Sequence, residues 1–252
     1  MRRRPKTWGL FEWRTATPPP CPKDQDPRYG WYYWDTDGKT ILRGRVHEWA
    51  FYLFPAPALA YLRECGGDER ALVSGCVMAA CYLGCFGASA LYHRADFPTL
   101  QVEMFYQKLD HAAIFTMIAG SYTPAGVLLA PGGSLVFVGL VWAGCVMGLA
   151  MTFAAGEWKT PPVAAAIYVL YGVSVGIASL QIVHKLSDRD VVIAYLGGAS
   201  YILGAAVYAM QKPDPWKYVF GYHEIFHLLV VLGAAFTYLF NLSVLREYKE
   251  LT

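Results

Sequence analysis

Charge is what this sequence has little of: Asp, Glu, Lys and Arg make up 16% of its 252 residues, where an ordinary soluble domain carries about a quarter. With 56% hydrophobic residues and 8 Trp, 18 Tyr and 13 Phe, that shortage excludes a usual water-facing surface and points to a membrane protein. The net charge of +2 argues for no polyanionic partner. No Lys/Arg stripe with interleaved aromatics follows the N-terminal segment, so a nucleic-acid surface is not expected. Nor do the six cysteines form a disulfide framework. Cys76, Cys81 and Cys85 fall inside one apolar run and Cys145 inside another, where thiols act as small buried hydrophobes. The opening MRRRPKTWGLFEW lacks the apolar run of a secretory signal, so this segment is expected to be retained.

Residues 1–45 read as a polar cytoplasmic tail, with ten Lys/Arg against five Asp/Glu and the stretch TPPPCPKDQDP. Its aromatics RYGWYYW suit either the bilayer interface or a loop packed on the helices. The DTDG that follows lacks the other ligands of a calcium loop and reads as a turn. Seven apolar runs come next, near 46–62, 71–93, 110–130, 134–154, 162–183, 191–210 and 222–244. A helix needs about twenty such residues to cross the hydrocarbon. The expectation is an all-α membrane protein: a seven-transmembrane helix bundle over 46–245 with a short C-terminal tail at 246–252. Breaks fall at APGGS (130–134), KTPP (159–162), LSDRD (186–190) and QKPDPW (211–216), which carry helix-stop chemistry. Fifteen Lys/Arg fall on the side of the N-terminus and six on the other. That excess predicts an N-terminus in the cytoplasm and a C-terminus outside.

This topology gathers polar residues at the cytoplasmic end. The second run ends SALYHR, with Ser89 and His93 one turn apart, and the third opens with Asp110 and His111. The last opens HEIFH, with His223 and His227 on one face. Two histidines four apart on a helix with a glutamate beside the first also describe a zinc protease. Ionisable groups at membrane depth are costly and usually face the bundle interior. Three protein ligands and one open position suit a catalytic zinc ion. His93, His223 and His227 are therefore the expected Zn2+ ligands. Asp110 is expected beside them to accept a hydrogen bond, and Ser89 to steady a water or an oxyanion. His47 and His111 lie at similar depth, so spacing alone does not choose the third ligand; His184 lies at the opposite end. Cys81, Cys85, Ser89 and His93 form a four-residue-spaced row that reads as a packing face, with Gly84 and Gly87 nearby.

The stretches ILRGRVHEWAF (41–51), GASALYHR (87–94), KLDHAAIFTMIAGSYTP (108–124) and HEIFHLLVVLGA (223–234) resemble the hemolysin III family. That family belongs with the progestin and adiponectin receptors and, more distantly, the alkaline ceramidases. The resemblance runs over about residues 41–245. It implies a seven-helix bundle with zinc held by His93, His223 and His227, and with Ser89 and Asp110 lining the site. It gives Glu224 no fixed role and suggests Glu48 as an acidic residue early in the first helix. The expected function is that of a zinc-dependent hydrolase in the cell membrane, acting on a ceramide-like lipid amide with membrane lipid as its partner. The alternatives are a zinc-stabilised receptor or stress sensor, a pore former, and an intramembrane protease. The last would need a third ligand from a later NPDG-like segment, and none follows HEIFH.

Overall fold

A computed structural model describes residues 40–129, 135–154, 161–179, 186–216 and 219–252. Residues 1–39 of the tail expected over 1–45, the DTDG turn, the stop at 130–134, the start of the stop at 159–162 and His184 lie outside them. Eight helical segments are present among the described residues: α1 (Arg45–Leu53), α2 (Pro55–Glu64), α3 (Glu69–Arg94), α4 (Leu100–Leu128), α5 (Leu135–Ala154), α6 (Pro161–Ala178), α7 (Asp188–Met210) and α8 (Tyr222–Leu251). The first apolar run divides between α1 and α2, because Pro55 at the first position of α2 has no N–H to continue the ladder. The eight segments thus account for the seven expected runs.

Local chemistry sets the helix starts. Asp68 accepts a hydrogen bond from the Ala71 N–H at the head of α3, Thr99 from Val102 at α4, and Ser187 from Asp190 at α7. Each satisfies one of the donors that a helix N-terminus leaves without an intrahelical partner. Helices α3, α7, α8 and Val136–Ala154 of α5 are long and apolar enough to cross a membrane. Their outward faces carry exposed Val136, Leu140, Leu203 and Leu239, as lipid contact requires. The molecule is an all-α membrane bundle.

Inside, α3 packs along α4 and α8 along α7, and α1 lies against both α3 and α8. Tyr61, Met78, Tyr82, Phe86, Met117 and Leu245 fill the space between them. The row on α3 is a packing face, as expected, and Gly87 beside it lies close enough to α1 that a Cβ there would come within 3.0 Å of the Phe51 ring. A Cβ at Gly84 would meet nothing, whereas one at Gly120 of α4 would stand 2.5 Å from the Cβ of Cys81. The end of α3, the first half of α4 and the starts of α1 and α8 meet at one end of the bundle.

Candidate metal centre

His93 lies in the last turn of α3 and His223 and His227 in the first two turns of α8. All three are buried, and their ligand nitrogens lie within 4.8 Å of one another. The Nε2 atoms of His93 and His223 stand 3.2 Å apart. Two nitrogens each bound at about 2.0–2.1 Å to a tetrahedral ion stand about 3.3 Å apart, so this separation suits two ligands on one ion as well as a hydrogen bond between the rings. Three imidazoles are a donor set that suits zinc and neighbouring transition metals. The group could hold a metal ion.

The other expected residues divide. Asp110, from α4, brings Oδ2 to 3.6 Å from His93 Nε2, too long for a hydrogen bond. Because that nitrogen also faces His223, the carboxylate stands on the ligand side of the imidazole. Ser89 is buried one turn before His93, and its Oγ makes no hydrogen bond among the described residues. His111 is half-buried and outside the group.

His47 is next to the group without joining it. Its ring stacks on that of His227, with centroids 3.9 Å apart and planes 11° from parallel. A ring nitrogen binds a metal in the plane of its own ring, so two stacked rings cannot direct nitrogens at one ion between their faces. This geometry, which spacing could not supply, selects His93 over His47 as the companion of the α8 pair.

Both glutamates that the sequence brought forward are committed elsewhere. Glu48 pairs with Arg45 at 2.7 Å and stands 3.6 Å from Arg94. Glu224 is fully buried and bonded to Arg43 Nε at 3.0 Å. It also accepts from the Gly221 N–H at 2.7 Å and from the Thr40 hydroxyl. A general base toward a metal site needs a free lone pair aimed at its substrate; this carboxylate instead binds the head of α8 to the chain before α1. Sequence reasoning counted Arg43 as an ordinary cytoplasmic flank and missed its role. The signal was present in Glu224 itself, an acid inside an apolar helix that demands a cation.

The segment Thr40–Gly44 lies across this end. Leu42 donates its N–H to the Val219 carbonyl at 3.2 Å. Gly44 has φ +79°, and a Cβ there would come within 2.6 Å of the His93 Cβ.

The sequence profile of the family described as "Haemolysin-III related" matches residues 38–238. A Drosophila melanogaster protein named adiponectin receptor protein is 25% identical over 192 residues, 69% of this chain and 43% of the relative. Heptahelical transmembrane protein 3 of Arabidopsis thaliana is 28% identical over 171 residues, 60% of this chain and 48% of the relative. Hemolysin-3 of Bacillus cereus is 27% identical over 173 residues, 67% of this chain and 74% of the relative. The chain spans less than half the length of the fly and plant proteins. With a match that runs from the segment before α1 into α8, this multi-pass membrane protein belongs to the haemolysin-III related family.

Proposed function

We propose that the chain is a zinc-dependent membrane hydrolase that cleaves the amide of a ceramide-like lipid. The observation that carries this reading is the convergence of His93, His223 and His227 within 4.8 Å, with the Asp110 carboxylate on the ligand side of His93. Zinc held by those imidazoles supplies Lewis acidity toward a carbonyl oxygen and lowers the pKa of water. Asp110 Oδ2 takes the proton released on attack and hands it to the leaving amine. Ser89 Oγ, buried with no hydrogen-bond partner among the described residues, donates to the developing oxyanion.

Depth in the bilayer supports the substrate class. The apolar stretch of α8 runs from Leu228 to Val244 and centres on Phe236, nine residues beyond His227. If α8 stands upright and centred on that stretch, 1.5 Å per residue would set His227 about 14 Å from the midplane, against about 15 Å for half the hydrocarbon. That is the polar–apolar boundary, where the linkage between a lipid's head and its acyl chain lies. The N-terminal side of the bundle, which holds the site, is assigned to the cytoplasm by the distribution of Lys and Arg.

The test is metal content of the detergent-purified protein by mass spectrometry, beside turnover of a fluorescent ceramide. One zinc per chain, lost in His93→Ala and in His223→Ala/His227→Ala, with turnover abolished in Asp110→Asn at full zinc, is the expected result. Full zinc with no turnover of any lipid amide would move the reading to a receptor or sensor, the class that the name of the fly relative suggests. A folded parent that binds no zinc would remove both.

A further inference from the structure

We infer that His47 is a positioning residue of the metal centre, which fixes the ring plane of His227 by stacking on it and does not itself bind the ion. The inference rests on the proposed metal site. Histidine ligands commonly have their second nitrogen hydrogen-bonded to a carboxylate or carbonyl, and that bond sets the direction in which the first nitrogen points. His227 lacks this device: its Nδ1 is buried with no hydrogen-bond partner among the described residues. What meets the ring instead is another ring, that of His47, 3.9 Å away and 11° from parallel.

The stacked ring is itself held in place. Phe86 of α3 closes on His47 with centroids 5.4 Å apart and planes at 51°. The start of α1 is pinned to the same helix pair, by Arg43 on Glu224 of α8 and by the approach of Gly44 to His93 of α3. No hydrogen bond of ordinary geometry reaches either nitrogen of His47 among the described residues, although the His227 backbone stands close enough to act on the ring. Toward the His227 side chain the contact is made by the flat face of the ring. A rotation of His227 about its Cβ–Cγ bond would swing its nitrogens away from the direction shared with His93 and His223, and the stacked ring blocks that rotation.

His47→Phe and His47→Leu test this directly. Both fill the space and remove both nitrogens, but only Phe offers a flat face. Zinc affinity is measured by chelator competition on detergent-purified protein, and site geometry by the visible absorption of the cobalt-loaded form, with thermal unfolding as the check on folding. Phe is expected to bind zinc within about threefold of the parent and keep its cobalt spectrum. Leu is expected to lose about tenfold to a hundredfold, the usual range for groups that orient a metal ligand, with an altered spectrum. Equal affinity in Leu, Phe and parent would overturn the inference and leave the metal site standing. Phe as weak as Leu would overturn it too, because a nitrogen of His47 would then be needed. A folded parent that binds neither metal would overturn this inference together with the metal site.

Discussion

A glycine with positive φ and a buried carboxylate show how single residues hold this centre. Gly44 sits in the left-handed region, where a non-glycine residue costs about 1–2 kcal/mol, and a Cβ would also press on His93 at 2.6 Å. Gly44→Ala is expected to lower the melting temperature in detergent and to weaken zinc binding at least tenfold. Full zinc affinity in that variant would show that the segment before α1 does not bear on the site. Glu224 separates two chemistries. As a protease-like base it would, when changed to Gln, abolish activity and spare stability. As the buried partner of Arg43, it is expected to cost about 3–5 kcal/mol of stability, the usual range for a buried ion pair that loses one member. Arg43→Met combined with Glu224→Gln should recover much of that loss, measured by thermal unfolding of the single and double variants. That His93, His223, His227 and Asp110 gather at one end of the bundle was legible from topology, since each is a costly group at one depth, while spacing did not decide between His93, His47 and His111 beside the α8 pair. The ring plane of His47 and the partner of Glu224 were not, because a sequence states which groups need partners and not which way they face.

Whole helices were legible as apolar runs, and they misled where apolarity and helicity diverge. The run expected at 110–130 belongs to a helix that begins ten residues earlier, at Leu100. Its first turns carry Glu103 and Gln107, polar yet buried, so hydropathy could not count them as part of a span. The last run likewise continues to Leu251, where Arg246 reaches Glu64 at 2.7 Å and ties the end of α8 to the end of α2. Packing between helices was legible only in kind. Lipid offers little hydrophobic drive for one helix to meet another, so close approach depends on small residues, and Gly120 against Cys81 supplies it between α3 and α4. Overpacking such a contact typically costs about 1–3 kcal/mol. Gly120→Ala is expected to destabilise by that amount and to loosen the site at the far end of α3. Cys81→Gly in the same chain should restore part of the loss, and a double-mutant cycle of melting temperatures measures the coupling. Strict additivity of the two changes would mean that the helices do not meet there.

For the molecule as a whole, orientation decides what the centre can reach. Seven spans, the number expected from the apolar runs, would put the segment before α1 and the end of α8 on opposite sides, and the 15 to 6 division of Lys and Arg favours the N-terminal side for the cytoplasm. Helix α8 fits that assignment. Its 30 residues extend about 45 Å, against about 30 Å of hydrocarbon. With His227 near the inner boundary, about the last turn and a half would emerge on the outer side. That end carries Arg246, Lys249 and Glu250, charges that suit water or headgroups, and Glu64 and Asp68 meet Arg246 and Tyr248 there. A reporter fused after Thr252 checks this. Alkaline phosphatase, which folds only outside the cytoplasm, should be active, and a fluorescent protein exported by the same route should be dark. The reverse would invert the bundle and turn the histidine group outward, so that a substrate of the proposed hydrolase would have to come from the outer leaflet. A single cysteine at Leu251 in a background with Cys65 and Cys76 replaced would resolve a mixed result. Labelling of intact cells by an impermeant maleimide is expected, and protection until the membrane is opened would contradict the orientation.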